Sequence, residues 1–177
     1  MTETGPLYLG FDLSTQQLKA IVITSDLSVL NSAVVDFSAD FPKYGTSKGV
    51  HVNESEREVY APVAMWLEAI DLVLSRLQAM NCPFERIKGI SGAGQQHGSV
   101  YWNAEGESAL ENLQSAKSLV NQLKFAHPWS PNWQDASTQT ECDLFEKAVS
   151  GADALAKITG SRAHHVRKAF PLILMFF

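Results

Sequence analysis

Apolar residues in the first forty positions come in three short runs with only a few polar residues between them. "LYLGFD" (7–12), "LKAIVIT" (18–24) and "VLNSAVVDF" (29–37) have the β-branched and aromatic content of strands, and "STQQ" and "DLS" between them are turn-sized. Runs this closely spaced predict a three-stranded antiparallel meander. A polar loop with Pro42, Gly45 and Gly49 follows. The period then lengthens: Val59, Val63, Trp66, Ile70, Val73, Leu74 and Leu77 recur at helical spacing. Ser55-Glu56-Arg57-Glu58 has the form of a capping box, in which Ser and Glu satisfy each other's backbone N–H groups at a helix start. The pattern predicts a helix opened by that box and ended by Asn81 and Pro83.

Further on, "IKGIS" reads as a strand, "GAGQQHG" as a glycine-rich turn and "SVYWN" as the returning strand. Residues 108–124 read as a weaker helix or an insertion. "HPWSPNWQDAS" carries two prolines and reads as a loop with a short strand at Trp133. Thr138 to Glu141 repeats the capping-box pattern and opens a helix through Val149, which Gly151 stops; "DALAKITG" is one more short helix. With no internal repeat and no linker, the expectation is one compact α/β unit.

Composition narrows the setting. Hydrophobic residues make up 45% of the 177 and charged residues 19%, a globular balance. The net charge of -5 argues against a nucleic-acid or anionic-membrane surface, both of which need clustered Lys and Arg. Cys82 and Cys142 lie far apart with no CxxC pairing, so buried or free thiols in a reducing compartment are expected. No signal-peptide pattern opens the chain, and "FPLILMFF" is far short of the ~20 residues that span a bilayer. A soluble cytoplasmic protein is the expectation.

Two stretches carry candidate chemistry. Gly92, Gly94 and Gly98 give G-x-G-x-x-x-G, and "SVYWN" after them prefers strand to helix. A dinucleotide fingerprint needs another spacing and a helix N-terminus for the pyrophosphate, so that reading fails; no Walker A sequence occurs either. Gln95, Gln96 and His97 at the tip can each donate and accept hydrogen bonds, which suits a ligand whose hydroxyls do both, such as a sugar. The plainer reading is that they satisfy turn backbone. In "FDLSTQQLK", Asp12 ends a strand and small hydroxyl residues follow. Turn N–H groups and the Thr15 hydroxyl can meet phosphate oxygens, and Asp12 can hold a hydrated magnesium ion. Lys19 faces the same phosphates or is a solvated strand residue; Asp12, on the plainer reading, bonds its own turn.

The order of these parts resembles the N-terminal part of the FGGY carbohydrate kinases, and within them the eukaryotic D-xylulose kinases. The matching stretches are "LGFDLSTQQLKA", "GVHV" (49–52), "SGAGQQHGSVYW", "WQDAST" (133–138) and "ITGSRA" (158–163), in order from about Leu7 to Ala163. Ser14 stands where the family usually has the Gly of Asp-x-Gly-Thr. The resemblance implies an actin- and hexokinase-like (ribonuclease H-like) ATPase fold, a mixed sheet with helices, of which this chain holds the first of two domains, incomplete. It implies ATP and Mg2+ as cofactors and D-xylulose or a related sugar as the phosphoryl acceptor. Asp12 would organise the metal through water, with Ser14, Thr15, Gln16 and Lys19 on the phosphate or ATP side. Gln96, His97 and Asp135 would lie on the substrate side, and His51 is read as structural. The family's catalytic Asp, in a Gly-Asp-Asn stretch of the second half, has no counterpart here, so this chain alone is expected to be inactive.

The family pattern covers 1–165. Relatives continue from "SRAHH" into Arg-Phe-Thr-Gly, whose Arg contacts the sugar, whereas Val166-Arg167 and "KAFPLILMFF" follow here. Val-Arg is encodable by GTAAG, the usual start of an intron, so 166–177 is expected to be an aberrant hydrophobic tail. The alternative is a short isoform acting as a non-catalytic sugar-binding or regulatory module. A kinase fragment for another ketose or polyol is the third reading.

Overall fold

The computed structural model describes residues 5–111 and 119–165. The expected tail at 166–177 and the middle of the 108–124 segment lie outside the described residues. The meander forms as its pattern predicts. β1 (Leu7–Leu13), β2 (Gln17–Thr24) and β3 (Val29–Asp36) pair antiparallel in sequence order. Alternate residues point one way: Leu7 and Leu9, then Leu18, Ala20 and Val22, then Ala33 and Val35 are all buried in one core. Asp36 caps the four-residue helix α1 (Phe37–Asp40), accepting from the Ser38 and Ala39 N–H groups at 3.0 and 2.9 Å.

The expected helix start at Ser55 is displaced. Residues 51–62 form a hairpin, β4 (His51–Asn53) and β5 (Glu58–Pro62), and α2 begins only at Val63 (Val63–Ala79). The supposed capping box is the hairpin turn: Ser55 Oγ donates to Asn53 Oδ1 at 2.8 Å, Asn53 Nδ2 to Glu58 Oε2 at 3.0 Å, and Arg57 is left-handed at φ 58°. Val59 therefore belongs to a strand. Pro62 has no N–H to lose and stands immediately before the helix, and the first helical N–H, on Val63, donates to the Pro128 carbonyl at 3.0 Å. The rest of the helical stripe holds: Val63, Trp66, Val73 and Leu77 are buried against the sheet, and the helix ends at Met80 and a left-handed Asn81.

Near the end of α2, Arg76 forks onto both carboxylate oxygens of Asp40 at 2.9 and 2.6 Å and reaches the Val34 carbonyl, joining α1, α2 and β3. That guanidinium holds the Asp40 carboxyl below the usual carboxylate range. The crossover delivers β6 (Ile87–Ala93) parallel to β1, giving the sheet order β3-β2-β1-β6.

The glycine-rich turn is not the tip of a hairpin. The expected strand "SVYWN" shrinks to β7 (Tyr101–Trp102), which pairs elsewhere. After α3 (Ala104–Glu111) and α4 (Leu119–Gln122) come β8 (Phe125–His127), the partner of β7, and β9 (Trp129–Pro131), which extends the β4-β5 sheet. The expected strand at Trp133 lies earlier, at Trp129–Pro131; Pro131 has no N–H to continue the ladder.

Thr138 does stand before α5 (Gln139–Ala148), but no side-chain cap bond forms there. Gly151 (φ 109°) and Gly160 (φ 83°) bracket α6 (Ala152–Thr159). A small second cluster of Cys142, Leu155 and Ala163, with Phe145 and Val149, joins these helices. Both cysteines are buried, and neither forms a disulfide. No helix among the described residues is long and apolar enough to cross a membrane.

Candidate functional site

Asp12 sits exposed at the end of β1, directly opposite Lys19 on β2. The turn after it, 14–17, is closed on itself, since the Ser14 N–H and hydroxyl both donate to the Gln17 carbonyl at 3.0 and 3.1 Å. Its other carbonyls are met from outside. Gln95 Nε2 donates to the Ser14 carbonyl at 2.9 Å, and the Phe37 N–H to that of Gln16 at 3.0 Å. Gly49 (φ 81°) presses on the Thr15 carbonyl so closely that a Cβ at position 49 would lie 2.0 Å from the oxygen. That contact gives the glycine of "GVHV" a physical reason. Among the described residues, neither the Thr15 N–H nor the Gln16 N–H has a protein acceptor. Two adjacent free donors in a fixed turn make an anion-binding concavity.

The second turn lies alongside. None of Gly92, Gly94 and Gly98 has a positive φ; the left-handed residue is His97 at 63°. A Cβ at Gly94 would meet nothing within 4 Å among the described residues, so its backbone borders open space. Gln95 is a strut: one end of its amide holds Ser14, and its Oε1 accepts from Asn132 Nδ2 at 3.3 Å.

Three polar side chains of the 130–135 segment are buried, and two of them, Ser130 and Asn132, hold this turn. Ser130 is fully buried and accepts from the Ser99 N–H at 3.1 Å. Asn132 Oδ1 accepts from the Gln134 N–H at 2.8 Å, and the Asn132 N–H donates to the Val59 carbonyl at 2.8 Å. Asp135, 3% exposed, accepts from the Val59 N–H at 3.0 Å and from Ser137 Oγ at 2.7 Å. Such groups are stable inside only because each finds a partner.

Between the turns lies a cleft of about 320 Å3, lined by Asp12, Leu13, Ser14, Thr15, Gly94, Gln95, Gln96 and the half-exposed Trp133. A second hollow of about 420 Å3, on Ser14, Thr15, Gln16, Gln17 and Asp36, adjoins it through the shared Ser14 and Thr15. No group of three or more His, Cys, Asp or Glu residues that could hold a metal occurs among the described residues. One exposed carboxylate beside two hydroxyls fits a hydrated Mg2+ that takes its remaining ligands from water and phosphate, not an all-protein cage.

The comparisons fit this geometry. No protein-family model matches the chain. The probable D-xylulose kinase A of Aspergillus flavus is 59% identical over 174 residues, 97% of this chain and 30% of that protein. The chain is homologous to the N-terminal third of the D-xylulose kinases. It spans about 30% of the length of these curated relatives. Among solved structures, a glycerol kinase from Plasmodium falciparum with ADP matches with a TM-score of 0.62 at 12% identity, over 99% of this chain and 30% of that one. A xylulose kinase from Rhodospirillum rubrum matches at 0.60 and 16%, over 85% of this chain and 25% of that one. The carbohydrate-kinase recognition and the actin- and hexokinase-like fold expected from the motifs both hold.

The structure brings Asp12, Ser14, Thr15 and Gln96 to one cleft, with Gln16 on the adjoining hollow. Lys19, His97 and Asp135 line neither: Lys19 stands across from Asp12, His97 is half-buried in the turn, and the Asp135 carboxylate is engaged by Val59 and Ser137. Sequence reasoning missed the work of Gln95, Ser130, Asn132 and Gly49. "NWQD" held a usable signal for one of them, Asn132, as an Asn in a proline-bounded loop is a turn-former that bonds backbone.

Proposed function

We propose that the chain is the N-terminal part of an ATP-dependent D-xylulose kinase and that it is inactive alone. The reaction moves the γ-phosphoryl group of ATP onto a sugar hydroxyl, giving D-xylulose 5-phosphate and ADP. The hydroxyl oxygen attacks phosphorus, its proton passes to a base, and the bond to the ADP oxygen breaks. The observation that carries this reading is the single cleft with phosphate-type groups on one wall and a sugar-type side chain on the other.

On the first wall, the Thr15 and Gln16 N–H groups and the Thr15 hydroxyl donate to phosphate, with Ser14, whose N–H and hydroxyl go to the Gln17 carbonyl, shaping the turn and Lys19 adding positive charge nearby. Asp12 would hold Mg2+ through water, and the ion would supply positive charge to the phosphates. On the second wall, Gln96 pairs with sugar hydroxyls, His97 supports it from the turn, and Trp133 offers an apolar face to the carbon chain. Asp135 acts one step back, fixing the loop that carries Trp133 against β5. Asp36 caps α1 and Asp135 is engaged, so Asp12 is the carboxylate left to face the cleft. Asp12 serves the metal, and the family resemblance implies that the base is an Asp of the kinase's second half. A cytoplasmic location without nucleic-acid or membrane partners goes with this reading.

A fusion tests it. The chain is joined in frame to the remaining two thirds of the Aspergillus flavus relative and assayed with Mg-ATP and D-xylulose, beside the chain alone. The fusion is expected to phosphorylate D-xylulose, the chain alone not, and Asp12→Asn in the fusion to lose at least a hundredfold in kcat. A soluble fusion inactive on D-xylulose but active on another ketose or polyol would replace the substrate. One inactive on all of them would sink the kinase reading.

A further inference from the structure

We infer that Gln95 is a positioning residue of the phosphate wall, although it belongs by sequence to the sugar turn. The inference rests on the proposed phosphate role of residues 14–17. A trans peptide is planar, so its carbonyl and the following N–H point in opposite directions. Whatever pins the Ser14 carbonyl therefore aims the Thr15 N–H. The pin is Gln95 Nε2, at 2.9 Å. The amide cannot turn over freely, because its Oε1 accepts from Asn132 Nδ2 at 3.3 Å and Asn132 is itself only 1% exposed. Asn132 is in turn anchored at both ends of its residue: its N–H goes to the Val59 carbonyl at 2.8 Å and its Oδ1 takes the Gln134 N–H at 2.8 Å.

The line from β5 through Asn132 and Gln95 to Ser14 is continuous, and each link fixes the orientation of the next. The carbonyls of Thr15 and Gln16 are held independently, by Gly49 and Phe37. Among the described residues, the hold on this turn that comes from the sugar side is supplied by Gln95. It is also bonded covalently to Gln96, so a hydroxyl that draws on Gln96 pulls on the residue that aims the Thr15 donor. Gln96 touches the ligand, and Gln95 presents the phosphate site to it.

The test uses the full chain labelled with 15N and sulfate as the probe, because the charge of sulfate stays constant between pH 4 and 8. In the wild type, added sulfate is expected to shift the Thr15 and Gln16 amide resonances saturably, and each variant is compared with the wild type at the same pH so that charge changes on Asp12 and His97 beside the turn cancel. Gln95→Met, which has similar volume and no amide, is expected to bind at least tenfold more weakly at every pH. Gln95→Glu is expected to be as weak at pH 7.5, where a carboxylate cannot donate to the Ser14 carbonyl. It should then recover as the pH falls toward the ordinary glutamic acid pKa of about 4.3 and its O–H becomes a donor. A residue that only stabilised the fold would show no such recovery. Wild-type affinity in Gln95→Met overturns the inference and leaves the kinase reading standing. If Gln95→Met does not fold, a Gln95→Glu variant that stays weak at low pH overturns it instead. If the wild type itself shows no shifts at Thr15 and Gln16, the phosphate role of the turn fails and this inference falls with it.

Discussion

The two walls of the cleft are fixed by opposite means. The 14–17 turn is short and lies between paired strands, so backbone does most of the holding: Gln17 returns to Ser14, Phe37 meets Gln16, and the bare backbone of Gly49 abuts Thr15. The 94–99 turn connects β6 to a strand of another sheet and has no ladder to close it. Buried side chains of a third segment hold it, Ser130 on Ser99 and Asn132 on Gln95. A short turn can be specified by geometry, with one glycine where a side chain cannot fit. A longer turn must be specified by polar partners, each of which can be removed singly.

Substitutions break or sharpen that contrast, and the largest effect belongs to the first wall. Gly49→Ala puts a Cβ 2.0 Å from the Thr15 oxygen in a left-handed conformation. We expect a loss of about 3 kcal/mol or more in urea unfolding, and a value under ~0.5 would show that the wall yields. Asp135→Ala leaves the Val59 N–H without its acceptor inside the protein and should cost about 2 kcal/mol. Asp135→Asn, which keeps an acceptor oxygen, should cost less. Ser130→Ala removes one neutral acceptor from Ser99, for about 1 kcal/mol in the same measurement; a cost equal to that of Gly49→Ala would erase the contrast. The smallest effect is expected at Gly94→Ala, within ~0.5 kcal/mol, since neither φ nor a neighbour among the described residues demands glycine there. D-xylulose titration of the fusion should nevertheless weaken severalfold, because the added methyl enters the cleft, and unchanged sugar affinity would move the sugar elsewhere.

What was legible follows the same division. The meander was plain because β-branched residues alternate over runs bounded by turn residues, and α2 because Val63 to Leu77 keep one period. The start of α2 was not, since Val59 fits both a helical stripe behind Ser55 and a strand with Tyr60, and only pairing with His51–Asn53 decides. The returning strand after the glycine turn was overread because β-propensity in "SVYW" says nothing about which strand is its neighbour. Motif order singled out Asp12, Ser14, Thr15 and Gln96, and the structure puts all four on one cleft. The Gln95 and Asn132 struts join residues 37 apart in sequence, and no local pattern signals a partner at that distance.

The bond from Asp135 to Val59 reaches back across 76 positions. A chain emerging from the ribosome N-terminus first has the backbone partners of its first turn in hand once Gly49 is out. Val59 must wait for Asp135, and Gln95 for Asn132. Contacts closed over such distances form slowly. The 14–17 turn is therefore an early structure of the nascent chain, and the cleft acquires its second wall only after most of these residues have been made.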